Sequence, residues 1–138
     1  MHWLPFLSAT LAAGVGATGI DWFFARGVFP KYFAAHPEIW RQPANDPRRV
    51  RRVGGCLVLN CVTAAAFFWL CYRLHLLHPG PTLRLAGAVC LVAPLPMIAA
   101  NALWLKLHPL VAVSQALCWL GKLALAALVA AWLLSPLN

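Results

Sequence analysis

The sequence predicts an all-α integral membrane protein, a bundle of four transmembrane helices with a short interfacial helical segment in its first loop. Of its 138 residues, 62% are hydrophobic and only 10% are charged, whereas a soluble domain carries about 25% charged residues. A core within so short a chain cannot hide this much apolar surface, so we expect the surplus to face lipid. The length allows a single domain, residues 1–138.

Four apolar segments reach the length of about 20 residues that crosses a bilayer. Proline marks their limits, because its missing N–H carries no penalty in the first turn of a helix. Pro5 and Pro109 open the first and last segments, and His78-Pro79-Gly80-Pro81 separates the second from the third. The predicted spans are residues 4–25, 54–76, 82–104 and 109–134, with a long loop at 26–53.

The tryptophans support the same four spans, because Trp favours the interface between water and lipid. Trp119 alone falls within a span. The other six form two belts at opposite ends of the spans: Trp3, Trp69 and Trp132 on one side, and Trp22, Trp40 and Trp104 on the other.

The basic residues predict the orientation. Seven of the eleven Lys and Arg residues lie between Arg26 and Arg52, whereas the opposite side carries only Arg73 and Arg84 near the membrane. The positive-inside rule then places the 26–53 loop in the cytoplasm and both termini outside. We therefore expect a multi-pass protein of a bacterial inner (plasma) membrane.

The net charge of +8 would suit a nucleic-acid binder, but its placement beside apolar segments favours lipid headgroups and argues against nucleic acid. Within the loop, aromatic residues alternate with charged ones between 29 and 41, which predicts helices lying in the interface. Two interpretations of the arginine cluster that follows stay open, an anchor on anionic lipid headgroups and a dock for an acidic partner. Its members are Arg48, Arg49, Arg51 and Arg52.

Cysteine and histidine patterns predict no metal site and no cofactor. Cys56 and Cys61 are five residues apart, which places them about 140° apart on a helix, and all five cysteines are interpreted as small apolar packing residues. His2, His75 and His78 share the outer side, but one is terminal and one precedes proline in a turn.

Polar residues inside the spans are the candidate ligand-binding residues, because such residues face protein or water rather than lipid. With a rise of about 1.5 Å per residue, one lies in each span at a similar depth, about 5–9 Å from the first-loop side. The helical phase predicts that all four point inward. Together with the deeper Lys122, the candidates are Asp21, Asn60, Asn101, Gln115 and Lys122.

Lys122 is the most informative of them, since a charged side chain at mid-span costs about 2.5–3.5 kcal/mol. Asp21 is the only acid in the spans, and counting from the segment ends puts it about 12 Å nearer the first-loop side. A direct ion pair then requires the segment limits to shift. A bridge through Gln115 or water, and interhelical bonding without any ligand, are the alternatives.

Two further features concern helix geometry. Pro94 and Pro96 interrupt the third span, as a hinge beside Lys122 or as an inert kink. Small residues recur along the first span, for example at Ala12 and Gly16, and allow close backbone approach. We expect the first helix at the centre of the bundle or in a dimer contact, so a homo-oligomer is a candidate assembly.

Two short stretches also resemble a known family. They are Asp21-Trp22-Phe23-Phe24 with Gly27-Val28-Phe29 and Lys31, and Asn101-Ala102-Leu103-Trp104 through Leu107 ahead of a final Gly- and Leu-rich span. In these and in its layout the chain resembles domain of unknown function 1761, a family of small four-helix bacterial membrane proteins. The resemblance implies that fold and no activity.

Three classes of function follow from the sequence. The first is a binder or transporter of a small molecule that uses the intramembrane polar residues. The second is a structural or accessory membrane subunit whose polar residues only hold helices together. A membrane enzyme ranks third, because the chain shows no nucleophile–base pair or paired carboxylates, and no enzymatic activity is expected.

Overall fold

Four helical stretches of membrane-spanning length build the protein in a computed structural model that describes residues 3–28, 49–104 and 109–134. The third stretch is divided into two helices, and the first continues into a π-helix. The elements are α1 (Trp3–Phe23), the π-helix (Phe24–Val28), α2 (Arg49–Arg73), α3 (Pro79–Val92), α4 (Pro94–Trp104) and α5 (Pro109–Leu133). The predicted all-α fold is confirmed for the described residues.

The helices α1 and α5 form the centre of the bundle. They pack against each other, α2 packs mainly on α1, and α3 and α4 pack on α5. Gly14 of α1 meets Cys61 of α2, while Ile20 of α1 lies against Gly121 of α5. Along each of these contacts, residue numbers fall on the neighbouring helix as they rise on α1. The helix α1 therefore runs antiparallel to both α2 and α5. The predicted central position of the first helix is confirmed.

Close packing of α1 on α2 depends on Gly14. Small buried residues surround it on α1, including Ala13 and Ala17. A Cβ atom at position 14 would overlap the sulfur of Cys61 and lie 3.3 Å from that residue's Cα and backbone N. The absence of a side chain at position 14 therefore sets the distance between these two helices.

The helix ends carry the tryptophans as expected for membrane interfaces. All five of the predicted interfacial tryptophans that the structure describes are more than half exposed: Trp3, Trp22, Trp69, Trp104 and Trp132. The sixth, Trp40, lies outside the described residues. So do the interfacial helical segment predicted after residue 28 and Arg48 of the arginine cluster.

The second span differs from its predicted limits at both ends, whereas the third begins earlier than predicted and ends at Trp104 as predicted. The basic stalk is helical, so α2 begins at Arg49 rather than at residue 54. It ends at Arg73 because His75 adopts a left-handed conformation with φ of 54°. The His75 N–H then donates to the Tyr72 carbonyl, and the next N–H reaches the Cys71 carbonyl, which together form a Schellman cap. Pro79, at the first position of α3, starts the next helix three residues earlier than predicted.

His75→Gly is expected to stabilise the bundle by about 1 kcal/mol, because glycine adopts positive φ without the steric penalty of a Cβ atom. The measurement is an unfolding titration of the purified protein in mixed detergent micelles. His78→Gly is the matched control, since His78 has φ of −90° and gains nothing from glycine. Equal or lower stability of the His75→Gly variant would contradict the strain assigned to this cap.

Candidate functional site

An ion pair joins the interior of α5 to the last turn of α1. Lys122 Nζ lies 2.6 Å from Asp21 Oδ1, with 14% of the lysine side chain and 36% of the aspartate side chain exposed. The same Nζ lies 5.3 Å from the centroid of the Trp119 ring, a cation–π distance. The structure therefore brings together directly the only two charged candidates in the spans.

The expected axial offset of about 12 Å between these two residues was too large. An offset of that size follows only if all helices end at the same depth along the bundle axis. Instead α1 continues helically as far as Val28, and the contact of Ile20 with Gly121 places Asp21 and Lys122 opposite each other. The ends of α1 and α5 therefore lie at different depths along the bundle axis. The lysine side chain covers the axial distance that remains between Lys122 and Asp21.

Asn60 of α2 completes the contacts of the carboxylate. Its Nδ2 donates to Asp21 Oδ2 and to Thr18 Oγ1, each at a donor–acceptor distance of 3.1 Å. The Thr18 hydroxyl in turn donates to the Gly14 carbonyl over 2.9 Å. Both carboxylate oxygens thus have a partner, and three helices meet at Asp21. Thr18 is not among the predicted ligand-binding residues, although its position three residues before Asp21 puts both on one helix face.

Replacing Asn60 by leucine is expected to destabilise the bundle by about 1 kcal/mol, since interhelical hydrogen bonds in membranes contribute about 0.6 kcal/mol on average and bonds to charged groups more. Unfolding in detergent micelles measures the change. The control is Thr63→Val on the same helix, whose hydroxyl donates only to the Leu59 carbonyl. Equal losses of stability in the two variants would contradict the role assigned to the Asn60 hydrogen bonds.

A cavity of about 350 Å³ lies beside the ion pair. It holds four of the five predicted candidates, whereas Asn60 lies against the opposite side of the pair and outside the cavity lining. The structure adds further lining residues, notably the buried Ser114, to those that the sequence indicated. The lining comprises Asp21, Phe24, Met97, Ile98, Asn101, Ser114, Gln115, Cys118, Trp119 and Lys122.

The helical phase predicts that every polar candidate points inward, but the Gln115 side chain is exposed, while Asn101 is half-buried. The buried face of α5 is centred on residues such as Leu123, Ala126 and Ala130. Gln115 therefore lies at the edge of the core, where the cavity opens. The amides of Asn101 and Gln115 have no hydrogen-bond partner within the part of the chain that the structure describes.

Two interruptions of regular helix occur along the stretches that line this cavity. The π-helix begins at Phe24, directly after the turn that holds Asp21, and π-turns are frequent at functional sites. The helix break at Ala93 separates α3 from α4, and Pro94 at the break supplies no N–H to the preceding turn. The predicted interruption at Pro94 is confirmed. Its use as a hinge stays a prediction.

Of the arginine cluster, Arg51 and Arg52 do not line this cavity. Arg49 is the first residue of α2, and Arg51 and Arg52 are exposed in its first turn. Their position at the end of a span agrees with the two interpretations drawn from the sequence, lipid headgroups or an acidic partner.

Comparisons of the chain with known protein families, with curated proteins and with solved structures gave no match. The resemblance to domain of unknown function 1761 therefore stays a prediction, and the geometry of the site alone carries the functional argument.

Proposed function

We propose that this membrane protein binds a small molecule in the cavity beside the Asp21–Lys122 ion pair, and that binding serves recognition or transport across the bilayer. The observation that carries the proposal is an ion pair, with 36% of the Asp21 side chain exposed, next to an open cavity of about 350 Å³ at the side of the helical bundle. Ligand sites typically enclose about 300–1,000 Å³ and place a few polar groups among apolar walls.

The unpartnered amides favour this proposal over a purely structural role. Interhelical bonding accounts for the Asp21, Lys122 and Asn60 contacts, because each of these groups meets another within the bundle. It does not account for Asn101 and Gln115, whose amides line the same cavity and form no hydrogen bond among the described residues. Polar groups at membrane depth need a partner, and a bound molecule or water in the cavity would supply it.

An accessory or structural subunit is the second candidate function. The hydrogen-bonded carboxylate favours it, since both oxygens of Asp21 are occupied by residues of the chain itself. Under this alternative the cavity is filled by another protein, and loss of the pair affects assembly only.

The basic residues support the remaining parts of the proposal. The surplus of Lys and Arg in and beside the first loop supports a cytoplasmic position for that loop, external termini and an inner-membrane location. Arg51 and Arg52, exposed where α2 begins, are proposed to contact anionic headgroups there. No enzymatic activity forms part of the proposal.

Cys118 provides the test, because its thiol lines the cavity. In a variant that retains only this cysteine, we expect methyl methanethiosulfonate, a small reagent that also partitions into bilayers, to label the protein in proteoliposomes. The control variant retains only Cys90, which is 1% exposed in the core, and is expected to stay unlabelled. Labelling is read by intact mass spectrometry.

The second part of the test screens for binding. The melting temperature of the purified protein is measured with free amino acids, alkylamines and short carboxylates, and compared with that of Asp21→Asn/Lys122→Met. A shift in the wild type alone supports the proposal. An unlabelled Cys118 together with no shift for any compound would overturn it in favour of the accessory role.

A further inference from the structure

The cavity opens sideways within the described part of the chain. Its walls come from the end of α1, from α4 and from α5. Both α1 and α4 pack on α5, but they share no extensive contact with each other. Met97 at the rim is 55% exposed, and the outer faces of the two flanking helices are apolar, with Trp22 and Leu103 exposed. Among the described residues, the gap between α1 and α4 therefore lies between apolar faces that are suited to contact with lipid.

The charges that line the cavity disfavour ligands with a net positive or a net negative charge. One carboxylate and one ammonium line it, so it is neutral as a whole. A ligand with net charge would bring an uncompensated charge into a poorly hydrated site, which is costly. A zwitterion can instead place its cation at Asp21 and its anion at Lys122, and so compensate both groups.

The other lining residues provide places for both ends of such a ligand. The half-exposed Asp21 carboxylate and the Trp119 ring are suited to an ammonium group. The free amides of Asn101 and Gln115 can donate to an anionic oxygen beside Lys122. The remaining wall is apolar, with Met97 and Ile98 towards the gap. This distribution fits a molecule with a zwitterionic end and an apolar end.

We propose that the cavity receives the zwitterionic headgroup of a membrane amphiphile, which enters between α1 and α4 while its chains remain in the bilayer. This inference rests on the proposed function and names its class of ligand. A cavity of about 350 Å³ suits a headgroup rather than a whole lipid, and the lateral gap leaves the chains outside.

Native mass spectrometry of the protein in mixed micelles with equal amounts of phosphatidylethanolamine and phosphatidylglycerol tests the inference. In an Arg51→Gln/Arg52→Gln background, which removes the proposed anionic-headgroup contacts outside the cavity, we expect the protein to retain the zwitterionic lipid over the anionic one by about tenfold, and Asp21→Asn/Lys122→Met to lose this preference. Met97→Trp, which narrows the gap at an exposed position, is expected to lower retention of both lipids without unfolding the protein. Thr63→Val, outside the cavity lining, is the control in the same background and should keep this preference.

A third ligand, glycerophosphoethanolamine, separates the possible failures, because it carries the headgroup without chains. Binding of this soluble compound without lipid retention would overturn entry from the bilayer and leave the proposed function standing. Equal retention of the two lipids would overturn the choice of a zwitterion. If no probe binds and Cys118 is also unreactive, the inference fails together with the proposed function.

Discussion

Lys122→Leu alone is expected to destabilise the bundle by about 3–5 kcal/mol, the loss typical of removing one partner from a buried ion pair. The aspartate would remain at the junction of α1, α2 and α5 with only Asn60 as a partner. Because the pair connects the two central helices, the variant should unfold at lower denaturant and assemble poorly in the membrane. Unfolding titrations in detergent micelles and membrane yields measure both effects.

Asp21→Asn/Lys122→Met is the critical companion of that variant. It removes both charges while Asn60 keeps an acceptor at position 21, so most of the lost stability should return. Recovery in the double variant would assign the loss to an unpaired charge rather than to a poorly packed side chain. A double variant as unstable as Lys122→Leu would contradict this assignment and place the loss in the missing pair itself or in side-chain packing at position 122.

Gly14→Leu is expected to have the second largest effect, a destabilisation of about 3 kcal/mol from overpacking. Even a Cβ at this position overlaps the Cys61 sulfur, and the α2 backbone at 3.3 Å leaves no room for a longer side chain. Separating α1 from α2 would also lengthen the Asn60–Asp21 contact. The measurement is again unfolding in micelles, with intact mass spectrometry to confirm the variant.

Gly19→Leu is the matched control on the same helix, since a Cβ there would meet nothing within 4 Å. It is exposed in the structure and should leave stability nearly unchanged. In a Gly14→Ala background, Cys61→Gly relieves the sulfur overlap but not the backbone contact, so we expect partial recovery. Similar losses at positions 14 and 19 would disprove the assigned packing of α1 on α2.

Much of the candidate site could be predicted from residue type alone. Asp21, Asn60 and Lys122 were identified because a polar group is costly at membrane depth, and they form one hydrogen-bonded cluster. The direct pairing of Asp21 with Lys122 could not be predicted, because it depends on the stagger of α1 against α5. The exposure of Gln115 could not be predicted either. Helical phase determines which residues share a face of the helix, but not which other helix covers that face.

The sequence by itself determined that the chain is all-α, how many spans it has and which side chains in them need partners. Apolar length and proline placement are local properties, and the bilayer makes them decisive because every backbone polar group must bond within its own helix. Only the tertiary structure decided that α1 and α5 lie at the centre, that Lys122 meets Asp21, and that a cavity opens between α1 and α4. Those facts depend on which helix faces approach most closely, as at Gly14, and such long-range packing is not encoded in any one segment.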